Sequence, residues 1–595
     1  MSLRPLKQFC ESVWAAKQPA RRRGWHRRPC AADVLESRVL LAATLWVDPA
    51  HAGNFTSISS AVAAAAPGDT IKVVPGIYQE SVAVPSTLAN LTIVGGQAQF
   101  AGQKGPSIIQ SDTDGINLGA NDDMVKGFTI EPQTTAGFDT ADGIVISSGS
   151  GDSILDNTIE DESSGVLVIA DGSTISGNTI EESVNGVVID GSGDTVSGNT
   201  LEFDGGPTPV SGGIVGGAFG SITVSGNTVE HNYQNGINVT ATTTATVIGN
   251  TVEDTSAGPG VQVYSEASAV VELNVLNSNG GYGLDVIGAE TATVLGNTAN
   301  DNTSTGLNVI ASTSATVSSN TTKGNGDNGI FANAPQITLD GNTSNSNQGS
   351  GFITPTGTIT VTTATLIGNT ANNNGIDGLV VESGSATFNE NTANGNVYGA
   401  VIEATGQATV LGNTTNKDAL GMEVFAGSET VSSNTANSNI NDGIFVDGGP
   451  GTISDNTADS NLGAAANGGA GIAIEGNVTT IIGNTTSNNV GDGLLLASVS
   501  GANITINTAK GNGNNGIELE GSNDNTLSAN TASSNLADGI VADDGSSGNV
   551  ITDNTALKNG AFDLADTSTG GTGTAGTDNT WSDNTANTAN PAGLL

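Results

Sequence analysis

From residue 39 to the C-terminus the chain contains no arginine. Beyond residue 43 it carries seven lysines against 56 acidic residues, a net charge near −49. A surface of that sign repels nucleic acid and anionic membranes, so neither is expected as a partner. Cysteine is confined to Cys10 and Cys30, which leaves the rest of the chain without a disulfide and indifferent to the surrounding redox state. No apolar run approaches the ~20 residues of a transmembrane helix. Histidine is limited to His26, His51 and His231, too few and too scattered for a clustered copper site.

What is present is one phrase said many times. Asn-Thr stands at Asn157, Asn178, Asn199, Asn227, Asn250, Asn297, Asn320, Asn342, Asn369, Asn391, Asn413, Asn434, Asn456, Asn484, Asn507, Asn530, Asn554 and Asn584, with Asn274-Val275 filling the one gap. About nine residues later comes Gly and an aliphatic residue, as in Gly186-Val187, Gly306-Leu307 or Gly516-Ile517. Most steps are 21 to 24 residues, a period that means a solenoid. Apolar residues alternate within each unit, as in Gly516-Ile517-Glu518-Leu519, so the local element is a short strand. A unit rich in Val, Ile, Thr, Asn and Gly, with no helix-length apolar stripe, fits one turn of a parallel β-helix of two or three strands. The recurring Asn is expected to take the left-handed backbone of a sharp bend and to bond to its counterpart one rung away, ~4.8 Å distant. A second series five residues on (Asn232, Asn279, Asn302, Asn325, Asn347 and onward to Asn559) predicts a second polar stack.

These repeats resemble the right-handed parallel β-helix proteins of the pectate-lyase-like class. They are most similar to the branch that includes the periplasmic accessory protein of nitrous oxide reductase. The resemblance runs from about residue 45 to 595. It implies an all-β, right-handed parallel β-helix solenoid of about 22 coils with a short N-terminal capping helix. It does not fix an activity, because the scaffold hosts lyases, hydrolases, epimerases, adhesins and inert surface proteins.

Four regions are expected along the chain. Residues 1–43 hold nine of the sixteen basic residues and form a targeting or disordered segment. Within it, Leu35-Glu36-Ser37-Arg38-Val39-Leu40-Leu41-Ala42 resembles the export tag of planctomycete-type surface and secreted proteins, which implies an exported, extracellular or cell-surface protein. Residues 44–114 form a cap and first coils, with Thr56 or Ser57 capping a helix whose apolar positions are Ile58, Ala61, Val62 and Ala65 and which ends at Pro67-Gly68. Residues 115–565 form the regular coils, with loop insertions at 203–210 and 462–469. Residues 566–595 comprise a low-complexity loop and a last coil, where Trp581 lids the exit end.

In a unit written Gly-h-x-h the x position points outward. That column is mostly apolar or bland, with Glu423 and Glu518 standing singly, and its one consecutive polar block is Asn238, Gln262, Asp285 and Asn308. Nearby in sequence lie His231, Tyr233, Tyr264 and Tyr282. Aromatic faces with amides and a carboxylate suit a sugar-binding groove, so Tyr233, Asn238, Gln262, Tyr264 and Asn308 are the candidate glycan-binding residues. Tyr282, Asp285 and His231 are the only candidates for catalysis. Tyr282-Gly283-Leu284-Asp285 resembles the opening of the alginate epimerase motif, but Val286-Ile287 stand where Pro-His should follow. The arginine base of the pectate lyases has no counterpart after Arg38, and the polygalacturonase motifs are missing. No cofactor is required, and calcium is the one candidate, through Asp190-Gly191-Ser192-Gly193-Asp194, a segment that matches no known calcium loop. The expected function is structural or carbohydrate-binding, with a polysaccharide or cell-surface component as partner. The alternative is a polysaccharide lyase, hydrolase or epimerase acting along one face.

Overall fold

One turn of the chain can be followed at residues 516–535. Ile517–Glu520 forms a strand with Ile517 and Leu519 buried, Thr526–Ser528 forms a second, and Thr531–Ser533 a third. Each pairs in parallel with its equivalent one turn on: Ile517 with Ile540, Leu527 with Ile551, and Ala532 with Ala556. Alternation thus stacks like upon like inside, where each fully buried aliphatic side chain contributes roughly 1.5–3 kcal/mol. Repeated through about 23 turns, the unit makes an all-β, right-handed parallel β-helix. The computed structural model describes residues 42–134, 141–202, 212–355, 359–463 and 469–595. The export tag (apart from Ala42), the insertion at 203–210 and most of that at 462–469 lie outside the described residues.

The opening helix, α1 (Ile58–Ala64), forms as expected. Ser57 is its N-cap and its hydroxyl accepts from the Ser60 N–H at 3.2 Å. Ile58, Ala61 and Val62 are buried against the first turns. At the other end Trp581 is buried in register with Ile551, and its indole N–H donates to Asp566 Oδ2 at 2.8 Å.

The Asn-Thr residues form an unbroken ladder from Asn157 to Asn584. Asn320 shows the chemistry. Its Oδ1 accepts from the Asn297 N–H at 2.8 Å and Nδ2 at 3.0 Å. Its Nδ2 donates to Asn342 Oδ1 at 3.0 Å and to the Val294 carbonyl at 2.9 Å. Each amide therefore satisfies buried groups of its own turn and both neighbours. In one respect the structure corrects the sequence reading, because the ladder Asn does not itself take the left-handed backbone. The residue before it does: Gly296 (φ 65), Ser319 (φ 55) and Gly341 (φ 61) precede Asn297, Asn320 and Asn342. The bend must turn before the amide can point inward, so the strain falls one residue earlier.

The second ladder runs on the same plan, and it explains the answering glycine. A Cβ on Gly516 would lie 2.5 Å from the Gly539 carbonyl oxygen and 2.6 Å from Asn535 Nδ2. Asp418 takes an asparagine's place in this ladder. It is fully buried, one oxygen has no partner, and burial pushes its carboxyl up to about 7.

A third corner, unforeseen from the repeats, stacks buried Asp123, Asp152 and Asp194 early in the chain and Asn525, Asn549 and Asn579 late. Burial pushes Asp152 up to about 7, and Asp123 and Asp194 to about 6.

Candidate functional site

The outward column is in register as expected. Asn238, Gln262, Asp285 and Asn308 sit opposite one another on four consecutive turns, held there by inward Ile237, Val261, Leu284 and Leu307, all buried. Three of the four, Gln262, Asp285 and Asn308, are joined with Asn235 in one chain of side-chain hydrogen bonds. Gln262 Nε2 donates to Asp285 Oδ2 at 3.1 Å, Asn308 Nδ2 donates to Asp285 Oδ1 at 2.7 Å, and Gln262 Oε1 accepts from Asn235 Nδ2 at 3.2 Å. Asn235, a corner residue outside the x column, was missed by sequence reasoning.

Although its place in the strand faces outward, Asp285 is enclosed by its neighbours and only 3 % exposed. Burial raises its carboxyl above the ordinary range, and the hydrogen bonds from Asn308 and Gln262 oppose that rise. Each oxygen thus accepts from one amide, and burial leaves little of the carboxyl open to a ligand in this arrangement.

The aromatic candidates divide. Tyr264 lies two residues beyond Gln262 on the same face; it is 38 % exposed, and its hydroxyl is 3.2 Å from Gln262 Nε2. Tyr233 is exposed on the corner that follows Asn232. Tyr282 is half-buried where the chain enters its strand, its carbonyl accepting from the Gly260 N–H at 2.9 Å. His231 is not brought to Asp285. It occupies a left-handed corner (φ 56) with Nδ1 3.7 Å from Glu202 and Nε2 3.8 Å from Asp254, carboxylates of the turns on either side. The corner Asn232–Asn235 separates it from the polar row.

Sequence reasoning also missed a second outward column two residues beyond the first, in which Glu382, Glu403, Phe425, Asp447 and Glu475 stand in register. Reading x+2 as well as x would have found it, since both positions face out.

In the sequence candidate for calcium, Asp190–Asp194, Asp194 is buried in the third corner, where it accepts from the Ser173 N–H at 2.7 Å. Among the described residues no group of three His, Cys, Asp or Glu side chains is arranged to hold a metal ion.

Comparison with known proteins gives the following. A family model described as "Right handed beta helix region" matches residues 260–415 and 420–588. A second, described as "Periplasmic copper-binding protein (NosD)", matches 103–279. That stretch does not fit copper: it holds one histidine, His231, one methionine, Met124, and no cysteine, so it lacks a cluster of nitrogen and sulfur ligands. No curated protein matches.

Among solved structures, the mannuronan C-5 epimerase AlgE6 A-module of Azotobacter vinelandii is 16% identical over 63% of this chain and 92% of its own, with a TM-score of 0.32. The catalytic unit of a GH87 α-1,3-glucanase from Streptomyces thermodiastaticus is 16% identical over 60% of this chain and 64% of its own, with a TM-score of 0.33. The PL6 family alginate lyase AlyGC is 12% identical over 91% and 100%, with a TM-score of 0.31. None of these likenesses carries an argument about activity. The ladders, the parallel register and a family model spanning more than half of the sequence agree, and the chain belongs to the right-handed β-helix family.

Proposed function

We propose that this is an exported β-helix protein that binds a polysaccharide along its outward face at Asn238, Gln262, Tyr264 and Asn308. The observation that carries the reading is the hydrogen-bonded row itself. It offers amide groups and a half-exposed tyrosine ring in a line, repeated every ~4.8 Å, close to the rise of a sugar residue in an extended chain. The burial and double amide contact of Asp285 favour binding over bond cleavage. Export is supported by the tag at Leu35–Ala42 and by the periplasmic family whose model matches residues 103–279. No helix among the described residues is long and apolar enough to cross a membrane.

Affinity electrophoresis of the full chain in plant, algal and bacterial polysaccharides tests the proposal. Retardation by at least one glycan, reduced about tenfold by Tyr264→Ala or Gln262→Ala, is the expected result. New reducing ends or unsaturated products, abolished by Asp285→Asn or Tyr282→Phe, would replace it with the lyase, hydrolase or epimerase alternative.

A further inference from the structure

The second outward column differs in chemistry from the polar row. Glu382, Glu403, Phe425, Asp447 and Glu475 occupy five successive turns. At its head opens a cleft of about 330 Å³ lined by Glu382, Ser383, Glu403, Thr405 and Phe425 among others. A neighbouring cleft of about 290 Å³ shares Ser383 and Thr405. Ser383 is only 3 % exposed, and its hydroxyl has no hydrogen-bond partner. A buried hydroxyl left unpaired costs about 1–3 kcal/mol, so it marks a place where a partner is due. The half-buried Phe425 ring lies 5.8 Å from Phe445, tilted by 56°, and Glu423 stands in register with Phe445.

The local field is negative. Glu423 is raised above the ordinary glutamate range, first by burial and then by Asp442, Glu403 and Asp377. Among the described residues, Glu403, Glu423 and Asp447 form no ion pair with a lysine or arginine. Such a face repels uronate and sulfated chains and attracts ammonium groups. An aromatic ring flanked by carboxylates takes an ammonium over its face and the C–H side of a pyranose against it.

We propose that this cleft and column bind a polymer of amino sugars carrying free ammonium groups. The ammonium groups pair with Glu403 and its neighbours, one ring packs on Phe425, and a hydroxyl reaches Ser383. The site uses none of the residues of the Asn238–Asn308 row, so either can fail alone.

The test is fluorescence anisotropy of the full chain with a labelled β-1,4-glucosamine oligomer. The expected result is binding that weakens about tenfold in Glu403→Gln and in Phe425→Ala, with unchanged circular dichroism. Asp340→Asn, which removes an exposed carboxylate elsewhere on the helix, leaves it unchanged, and the fully N-acetylated oligomer does not bind. Equal weakening by Asp340→Asn would mean diffuse attraction to an acidic rod and would overturn the proposal. So would equal binding of the acetylated oligomer, displacement by spermine at the same concentration as by glucosamine oligomer, or no binding at all.

Discussion

Asp418 occupies an asparagine's place in the second ladder, and changing it tests the ladder at a single atom. Its Oδ1 accepts from the Asn396 N–H at 2.7 Å and Nδ2 at 3.2 Å, and its own N–H donates to Asn439 Oδ1 at 3.0 Å, as an asparagine would. The other oxygen is unpartnered. Two turns earlier, Asn374 fills that place with Nδ2, which donates to Asn396 Oδ1 at 3.2 Å and to the Ser344 carbonyl at 3.1 Å. A carboxylate there turns an oxygen toward acceptors, whereas a protonated carboxyl can donate. Burial accordingly pushes Asp418 up from 3.8 to about 7.

The folded-state value lies above the unfolded one. The group's stabilising contribution is therefore fully present below about pH 4 and is lost as pH rises through 7. At 1.36 kcal/mol per unit, the three-unit rise costs about 4 kcal/mol once the group is ionised. Asp418→Asn removes that cost and restores the missing donor. It should stabilise by roughly 2–4 kcal/mol at pH 8 and change stability by less than about 1 kcal/mol at pH 4.5. Urea unfolding at the two pH values, with amide exchange followed across residues 396–439, reads the difference. An equal effect at both pH values, or destabilisation at pH 8, would refute the reasoning.

Asp152→Asn should behave likewise, with its gain appearing as pH rises from 4 through 7, because Asp152 is also held near 7 by burial and its column uses asparagine at Asn525 and Asn549. Thermal melts at pH 4.5 and 8 check it. Asn320→Ala leaves the Asn297 N–H and Nδ2 and the Val294 carbonyl without their partner. A loss of about 2–5 kcal/mol in urea is expected, and a loss under 1 kcal/mol would mean that water replaces the amide. Gly516→Ala drives a Cβ to 2.5 Å from the Gly539 carbonyl oxygen; it should cost about 1–3 kcal/mol, and faster amide exchange should be confined to the adjoining turns.

Much of the fold was legible because a solenoid writes each contact many times. Asn320 and Gly516 recur at fixed spacing, so their partners one turn away could be inferred without coordinates. Two things were hidden. The left-handed position was assigned to the Asn, because Asn and Ser319 or Gly341 are both plausible there and only the bend's direction decides between them. The third corner was missed because its residues change from Asp to Asn along the chain and do not repeat as a phrase.

For the candidate site, the row Asn238 to Asn308 followed from alternation and register. Burial did not follow, since Asp285 is outward by parity yet enclosed by Gln262 and Asn308. The cleft at Phe425 depends on how far strands such as Tyr398–Leu411 and Leu420–Ser432 run before bending.

The sequence by itself determined the strand period, the stacking of like residues, the capping helix and the acidic exterior, because these are local or repeated at one-turn separation. Only the tertiary structure decided which carboxyls are enclosed, which amides are already spent on each other and where a cleft opens. Those depend on side chains from three or more turns meeting in space, and a period along the chain does not encode that meeting.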